Sequence, residues 1–355
     1  MNKLSFSQNL LLWYSSSVTS YPWRNTKNSY KIWLSEVMLQ QTRVTTVIPY
    51  YKNWILKFPT LASVAQSDLN DILKAWEGLG YYARARNFHN ACKLVRSQFD
   101  SQIPNNFTEL IQLPGIGNYI ASAILSIAFN KPYPAIDVNV IRIISRLNSI
   151  KTPYPSSKNK IHDYLSYEID NNSPGDFNQA LMDLGRTICK PSNPECISCP
   201  INMFCKAYVN NNVNSFPIKK NRSIKPHYNV AVGVIWNKNK ILISKRKNNG
   251  LLGGLWEFPG GKLKQKETEH QCVIREVKEE LDVEVSPCGF IDSINHSYSH
   301  FSITMNAYHC QYIKGIPRAI GCSEFRWIHP NQLTLLAFPV SSQKIFDKIL
   351  HYNIS

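Results

Sequence analysis

Apolar side chains recur at helical spacing through the N-terminal part of the chain and at strand-like spacing towards its C-terminal end. The first pattern predicts helices over 4–14, 30–47, 68–76 and 84–99, with two more between 153 and 188. The second pattern predicts strands over 228–236, 241–245, 301–308 and 325–328, with one helix near 267–281. We therefore predict a multidomain protein, mainly α-helical at first and then α+β.

A polar and basic stretch at 209–226 separates the two patterns and is short of core residues. Such a composition is typical of an interdomain linker. The chain has 355 residues, too many for one compact core. The predicted organisation is therefore a helical region at 1–208, the linker, and a C-terminal module at 227–355.

The charge balance indicates a polyanionic partner. The chain carries 40 Lys and Arg against 24 Asp and Glu, a formal net charge of +16. Residues 1–226 hold 25 basic and 13 acidic side chains, against 15 and 11 in 227–355. The binding of nucleic acid is therefore predicted to be mostly N-terminal.

The composition is 43% apolar and 18% charged, and no apolar run reaches the length of a membrane span. We expect a folded protein of the cytoplasm.

Two glycines bracket one apolar residue in the run from Leu113 to Tyr119. Gly115 and Gly117 allow a tight turn between helices and leave backbone amides free at the next helix start, where a phosphate can bind. This pattern favours a helix-hairpin-helix clamp on the DNA backbone. The alternative is a plain helix-capping loop.

Two acidic residues are candidates for chemistry. Glu36 lies between Leu34 and Val37, and a carboxyl among apolar neighbours tends to have a raised pKa, as a general acid requires. Asp137 follows the prolines that end an apolar run, beside the hairpin. The alternatives are a solvated glutamate on an amphipathic helix and an aspartate that only caps a helix.

A glycine turn at 78–86 opens a helix with two tyrosines and two arginines. Aromatic rings that wedge between base pairs, next to arginines for phosphates, suit a protein that distorts duplex DNA. An aromatic core patch with solvated arginines is the competing interpretation.

Four cysteines fall within 17 residues, with six, two and five residues between them: Cys189, Cys196, Cys199 and Cys205. Structural zinc usually takes two close cysteine pairs or a Cys/His mixture, whereas this run has one C-x-x-C pair and no histidine. The spacing favours an iron-sulfur cluster over zinc.

Together these features resemble the MutY-type adenine DNA glycosylases of the helix-hairpin-helix superfamily, over essentially the whole chain. The motifs stand in the family's order: 35–42 (SEVMLQQT), 78–84 (GLGYYAR), the hairpin, 137–140 (DVNV), the cysteine quartet and a C-terminal domain similar to Nudix hydrolases. The resemblance implies hydrolytic excision of adenine mispaired with 8-oxoguanine or guanine, in base excision repair. It also implies a six-helix domain at about 21–130, a cluster domain of 1–20 plus 131–208, and one 4Fe-4S cluster per chain on the four cysteines.

The resemblance implies roles for individual residues. Glu36 is similar to the acid that protonates the adenine ring nitrogen, and Asp137 to the carboxylate that stabilises the oxocarbenium sugar. Asn139 resembles the residue that orients the aspartate, although Val138 departs from the glycine common in this motif. Tyr119 stands where lyase-type relatives carry a Schiff-base lysine, so strand cleavage through an imine is expected to be weak or absent.

Other positions match family residues that contact DNA. By resemblance, the hairpin residues Leu113, Gly115 and Gly117 hold the backbone. The base-contacting positions are Trp23, Arg24 and Gln179 for the adenine pocket, Gln41 and Tyr81 for the stack around the lesion pair, and Tyr298, Ser299 and His300 for 8-oxoguanine, with Tyr298 where phenylalanine is usual.

The C-terminal module also holds a near-complete Nudix box, with Asp282 in place of its final glycine. The box consists of Gly261, Glu267, Arg275, Glu276, Glu279 and Glu280. Its last three glutamates share one helix face and have the spacing to hold magnesium. An inherited scaffold helix is the alternative, and we expect no magnesium there. Asp282 tolerates left-handed backbone, so the loop is expected to survive the change.

Three functions remain in competition: an adenine glycosylase, a dual enzyme that also hydrolyses oxidised nucleotides, and a non-catalytic iron-sulfur DNA-binding protein. The presence of both Glu36 and Asp137 argues against the third. The expected partner is double-stranded DNA with A:8-oxoguanine or A:G mispairs. We expect a nucleoid-associated monomer that does not bind membranes.

Overall fold

The computed structural model describes residues 5–17, 21–24, 26–218, 225–250, 252–298 and 300–352. The chain divides into two compact units. The first, here the helical unit, comprises Met1–Gln66 and Asn87–Arg222, and the second, here the sheet unit, comprises Ser67–Arg86 and Ser223–Ser355. A short N-terminal segment thus groups with the C-terminal module. None of the helices in the described part of the chain is long and apolar enough to cross a membrane.

Helices follow one another closely up to residue 209. Their bounds are α1 Phe6–Ser16, α2 Ser29–Leu39, α3 Val44–Lys57, α4 Leu61–Gln66, α5 Leu69–Ala75, α6 Ala83–Gln98, α7 Phe107–Leu110, α8 Asn118–Ile127, α9 Val138–Leu147, α10 Lys158–Glu168, α11 Pro174–Thr187 and α12 Lys206–Val209, with short 3-10 helices at Asn202–Phe204 and Val213–Ser215.

Residues 30–47 form parts of two helices, whereas the hydrophobic pattern predicts one. The Asn28 side chain caps α2 by accepting a hydrogen bond from the Lys31 amide at 3.0 Å. The helix ends at Leu39, and two residues later Gln41 takes a left-handed backbone conformation with φ +56°. A right-handed helix cannot continue through such a residue. The turn leaves the Gln41 side chain exposed.

Two apolar clusters of described residues contribute to the core of the helical unit. The larger joins α1, α9, α10 and α11, where the Phe6 ring makes edge contacts with Tyr164 and Phe177 at centroid distances of 6.1 and 6.0 Å. The smaller packs α8 against Ile32 of α2. Each large side chain buried in this way contributes about 1.5–3 kcal/mol. This packing fixes α2, α8 and α9, which carry the two candidate acids and Tyr119.

The predicted linker at 209–226 begins as an ordered part of the helical unit. Phe216 is buried, and Arg146 Nε donates a hydrogen bond to its carbonyl at 3.2 Å. Residues 219–224 lie outside the described residues. The change of unit follows at Ser223.

The sheet unit contains a mixed sheet and three short or medium helices in its described C-terminal part. The bounds are β1 His227–Asn237, β2 Lys240–Lys245, β3 Trp256–Glu257, β4 Gly260–Lys262, α13 Glu269–Leu281, β5 Glu284–Ser297, β6 Ser302–Lys314, β7 Glu324–Ile328, a 3-10 helix at Pro330–Leu335, α14 Val340–Gln343 and α15 Phe346–Leu350.

The sheet runs in the order β3-β2-β1-β6-β5, with β4 paired to β1 and β7 paired to β2. Strands β1 and β6 are parallel, and the other pairs are antiparallel. One face of the sheet packs on α13 through Val273 and Val277, and the other packs on a cluster that includes Phe338 and Phe346. The fold is therefore the α+β arrangement predicted from sequence, with both faces of the sheet covered.

The longest strand, β5, has no counterpart in the sequence prediction. Pro287 and Gly289 interrupt its alternation, and its pairing with β6 shifts register there and again between Phe290 and Asp292. Such bulges disturb the two-residue period on which the prediction depends. Helix α13 was predicted and ends at Asp282, whose φ of +56° confirms the left-handed conformation expected at that position.

Candidate active site

Glu36 lies on the buried face of α2, and only 2% of its surface is exposed. The Tyr119 hydroxyl donates a hydrogen bond to Glu36 Oε2 at 2.5 Å. Burial raises the pKa of Glu36; this hydrogen bond and the charge of Arg24 oppose the rise, whereas the charges of Asp137 and Asp183 add to it. The raised pKa expected from the apolar neighbours is confirmed, and the interpretation of Glu36 as a solvated glutamate is wrong.

Asp137 is the N-cap of α9 and also lies close enough to Glu36 to influence its pKa. Its Oδ1 accepts a hydrogen bond from the Val140 amide at 2.7 Å, and its Oδ2 accepts one from Asn139 Nδ2 at 2.7 Å. Burial raises the pKa of Asp137, and these hydrogen bonds oppose the rise. The two interpretations of Asp137 are therefore compatible, since as the cap of α9 it still lies within electrostatic range of Glu36.

Asn139 holds the Asp137 carboxyl and is itself held by Arg142. Arg142 Nη2 donates to Asn139 Oδ1 at 2.9 Å and to the Gly185 carbonyl at 2.6 Å, and Nε donates to the Cys189 carbonyl at 2.8 Å. Arg142 thus joins the helix cap to the start of the cysteine loop. Sequence reasoning missed Arg142, and the available signal was its position one helical turn after Asn139.

Arg24 contacts α11 through two of its residues. Arg24 Nη1 donates to Gln179 Oε1 at 2.5 Å, and Nη2 pairs with Asp183 Oδ1 at 2.9 Å. Trp23 is buried and stacks on Tyr21 with ring centroids 5.5 Å apart. The structure thus brings together Arg24 and Gln179, which were predicted to share a pocket. It adds Asp183, which sequence reasoning missed although it lies one turn after Gln179 on the same helix face.

The predicted hairpin is a tight turn between α7 and α8. Gly115 has φ +79°, and a Cβ there would lie 2.8 Å from Asn87 Cβ, so the turn requires glycine. Gly117 is the N-cap of α8 and leaves open space around it, while Leu113 is buried beneath the turn. A helix start that lacks a side-chain cap presents backbone amides, as an anion-binding turn requires.

Gln41 and Tyr81 lie in different units, so each is described by itself. Gln41 follows α2 in the helical unit and is exposed. Tyr81 lies between α5 and α6 in the sheet unit, is 37% exposed and has φ +51°. The Arg84 guanidinium lies 5.2 Å from the Tyr81 ring centroid. The wedge role predicted for the tyrosine remains a prediction.

Tyr298 and His300, two of the residues predicted to read 8-oxoguanine, lie between β5 and β6. Tyr298 is half-buried, stacks on Phe301 with centroids 4.9 Å apart, and shares a hydrogen bond of 3.1 Å with Ser341 Oγ. His300 is exposed, and Ser299 lies outside the described residues. Their predicted role is not tested by this arrangement.

The four cysteines line one largely apolar pocket, which is partly open to solvent. Arg146 contributes to the wall, and its Nη1 donates to Cys189 Sγ at 3.3 Å. In the described part of the chain, no group of three or more His, Cys, Asp or Glu side chains could hold a single metal ion. A cluster requires no such convergence, because each thiolate binds a different iron. The four thiol groups around one pocket fit a group that is bound through cysteine thiolates, such as an iron-sulfur cluster.

The Nudix box folds around Arg275. Its guanidinium contacts Glu267 Oε1 at 2.6 Å, Glu276 Oε1 at 2.8 Å and Glu279 Oε2 at 3.1 Å. Side-chain hydrogen bonding from Arg275 lowers the pKa of Glu267 to about 2. Glu280 is not among these three ion-pair partners of Arg275.

Glu280 lies within electrostatic range of Glu257 in β3. Sequence reasoning missed Glu257. Burial and the charges of Glu257 and Glu276 raise the pKa of Glu280 to about 8. Arg246 pairs with Glu257. The expectation that the box binds no magnesium remains a prediction.

Two family models match the chain. Residues 34–165 match the HhH-GPD superfamily of base excision DNA repair proteins, and residues 231–348 match the NUDIX domain. The first runs from within α2 to within α10 and includes Glu36, the hairpin and Asp137. The second runs from within β1 to within α15.

Curated relatives match over nearly the whole chain. An adenine DNA glycosylase of Buchnera aphidicola subsp. Baizongia pistaciae is 35% identical over 99% of this chain and 99% of its own length. One from Buchnera aphidicola subsp. Schizaphis graminum is 39% identical, covering 84% of this chain and 85% of the relative. The adenine DNA glycosylase of Rattus norvegicus is 31% identical over 96% of this chain and 77% of its own length.

Solved structures show the same fold for the helical part. A thermostable thymine-DNA glycosylase has a TM-score of 0.53 and 24% identity, covering 58% of this chain and 95% of that one. An endonuclease III–DNA complex has a TM-score of 0.50 and 22% identity, covering 58% and 94%.

The contact between Gly185 and Asn139 gives a stability test. A Cβ at Gly185 would lie 2.6 Å from Asn139 Cβ, so Gly185→Ala forces α9 and α11 apart. We expect the free energy of unfolding of the helical unit to fall by about 1–3 kcal/mol, as for other overpacked sites. Denaturant titration measures it. Gly289→Ala, where the nearest atom is 3.8 Å away, is the matched control and should change little. An unchanged Gly185→Ala protein would contradict the close packing.

Proposed function

The chain belongs to the adenine DNA glycosylase family, and on this premise we propose that it excises adenine mispaired with 8-oxoguanine or guanine in double-stranded DNA. The reaction hydrolyses the N-glycosidic bond and leaves an abasic site for base excision repair. The observation that carries the proposal is a pair of acids with different hydrogen-bond donors, the buried Glu36 and the half-buried Asp137, whose charge helps to raise the pKa of Glu36.

In the proposed mechanism the two acids take opposite parts. Glu36, whose pKa is raised by burial, holds a proton and gives it to a ring nitrogen of adenine. The bond from the sugar C1′ to the base then breaks, and its electron pair leaves with adenine. Asp137 receives hydrogen bonds from Val140 and Asn139 that favour its anion, which stabilises the positive sugar until water adds at C1′.

Tyr119 supports a hydrolase that does not cut the DNA strand. A lyase needs an amine that forms an imine with the sugar. Tyr119 instead has a hydroxyl, which donates a hydrogen bond to Glu36. The family resemblance places the lyase lysine at this position. We therefore propose that the abasic site is the final product.

Recognition is proposed to be divided between adenine and the opposite base. Arg24 is fixed by Asp183 and Gln179, so it can present a rigid donor edge to the excised base. Gln41, Tyr81 and the turn at 298–300 are proposed to contact the mispair. The net charge of +16 and the hairpin support binding of the DNA backbone. We propose that one chain, a monomer, acts on DNA of the cytoplasmic nucleoid.

The four cysteines are proposed to hold one 4Fe-4S cluster. It would supply thiolate–iron bonds that close the loop from Cys189 to Cys205. Arg142 donates to the Cys189 carbonyl, and Arg146 donates to the Cys189 sulfur. These two arginines connect the loop to α9, so an ordered loop helps to hold the end of α9 that Asp137 caps.

The first test uses duplexes with adenine opposite 8-oxoguanine, guanine, cytosine or thymine. We expect release of adenine from the first two and not from A:T, because only the mispairs are proposed substrates. The strand should break only after alkaline treatment. Efficient cleavage without alkali, together with an adduct trapped by borohydride, would contradict the monofunctional mechanism.

The second test is Glu36→Gln, which keeps the shape of the side chain and removes the proton donor. Single-turnover excision should fall by at least about 100-fold while mispair affinity changes little, as expected when a general acid is removed. In the wild-type protein, the raised pKa of Glu36 predicts that the rate falls as pH rises through it, because the acid loses its proton. Unchanged excision by the variant would exclude Glu36 as the acid.

The third test is Cys199→Ser, compared with Cys288→Ser, an exposed cysteine outside the loop. Cys199→Ser should lower iron content and DNA affinity together, because the loop loses a ligand. Iron analysis and visible absorption of protein purified without oxygen measure the first, and duplex titration measures the second. Stoichiometric zinc in the wild-type protein would refute the cluster.

A further inference from the structure

The segment Ser67–Arg86 groups with the sheet unit although it precedes most of the helical unit in sequence. It contains α5, the glycine turn and the first residues of α6, and it carries Tyr81. The turn at 298–300 belongs to the same unit. Two elements proposed to contact the mispair therefore share one compact unit, and the question is what fixes the segment there.

Arg86 makes the first connection. Its side chain is 9% exposed, Nη1 donates to the Gly253 carbonyl, and Nη2 lies 3.5 Å from the Gly250 carbonyl. There is no space for a side chain at Gly253, because a Cβ would lie 2.5 Å from the Asn248 carbonyl oxygen. A buried guanidinium needs such fixed acceptors to offset its loss of water. Arg86 of α6 thus anchors the segment Ser67–Arg86 to the loop between β2 and β3.

The end of α5 makes the second connection. Glu77 Oε1 accepts a hydrogen bond from the Phe338 amide at 3.1 Å. Lys74 Nζ donates to the Leu336 carbonyl at 3.3 Å and also pairs with Glu77. Phe338 is fully buried in the core of the sheet unit. This pair therefore binds backbone that the core already holds in place.

Direct packing adds a third connection. Gly254 has φ +76°, and a Cβ there would lie 3.3 Å from Leu73 Cδ1 and 3.7 Å from Arg86 Cδ. The loop thus approaches α5 and the start of α6 closely because it carries glycine at this point.

The turn that presents Tyr81 is itself tied internally. Trp76 Nε1 and Arg84 Nη2 both donate to the Gly80 carbonyl, at 3.0 and 3.1 Å. The Gly78 amide donates to the Tyr82 hydroxyl at 3.2 Å. An anchor at either end of the segment therefore fixes the whole turn.

We infer that Arg86 and the Lys74–Glu77 pair are positioning residues that hold Tyr81 on the sheet unit, so that one unit carries two of the three elements proposed to contact the mispair. They act through Tyr81 and touch no reacting atom. This inference rests on the proposed function. It assigns discrimination between 8-oxoguanine and guanine to residues 67–86 as well as to the C-terminal module.

The test compares Arg86→Met with Arg96→Met in the full-length protein. Arg96 is exposed on the same helix, so the control removes the same charge. Hydrogen exchange should accelerate about tenfold in peptides covering 67–86 and 246–255 of Arg86→Met, the effect of losing a hydrogen bond from a charged group. Arg96→Met should leave both peptides unchanged. Unchanged exchange in the Arg86 variant would overturn the docking.

The second measurement is the ratio of single-turnover excision rates for A:8-oxoguanine and A:G duplexes. Arg86→Met should lower this ratio about tenfold, and Arg86→Lys, which keeps one donor, should restore part of it. In a Tyr81→Ala background, Arg86→Met should add nothing, because its effect passes through Tyr81. An equal effect in both backgrounds would show a merely structural role and overturn the inference.

Failure of the proposed function gives a different result. The wild-type protein would then release adenine from neither duplex. The exchange measurement would still confirm or overturn the docking, because it needs no substrate.

Discussion

The central constraint on the helical unit is the burial of the Glu36 carboxyl group. Burial of an ionisable group is costly unless it is neutral or well paired, and Glu36 meets this condition through its raised pKa and the Tyr119 hydroxyl. The apolar packing of α2 and α8 holds the two side chains in contact. The same packing that stabilises the fold thus also creates the apolar surroundings of the proposed proton donor.

Asp137 shows how one residue serves the fold and the chemistry together. Its carboxyl satisfies the Val140 amide at the start of α9, a contact that contributes about 1 kcal/mol in typical helices. The donors that make it a cap also favour its anion. Because Asn139 is held by Arg142, and Arg142 by the Cys189 carbonyl, the cap depends on the cysteine loop. Disorder in that loop is therefore expected to reach Asp137 through two successive hydrogen-bonding side chains, Arg142 and Asn139.

Local spacing in the sequence was sufficient to find Glu36, the hairpin, the cysteine quartet and α13, because each is specified by residues a few positions apart. The partners Asp183 and Glu257 were missed, since they are identified only when α11 or β3 is brought next to its neighbour. The strand β5 was missed for a similar reason. Its bulges interrupt the alternation of apolar and polar residues, and its pairing with β6 is visible only in the folded chain. Most notably, no local pattern shows that Arg86 binds the Gly253 carbonyl, because that contact spans 167 residues.

Backbone strain offers independent support for two residues that were first singled out by motif. Gln41 and Tyr81 have φ of +56° and +51°, a conformation that costs an ordinary residue about 1 kcal/mol or more. Most other residues with positive φ in the described chain are Asn, Asp or Ser, which tolerate it. A bulky tyrosine at such a position has no conformational advantage, so the surrounding structure must impose it. At Tyr81, Trp76 and Arg84 do so through the Gly80 carbonyl, and the result is a partly exposed aromatic ring on a rigid turn. The strain at this partly exposed ring gives the free protein no stability, and it is consistent with the contact with DNA that is proposed for Tyr81.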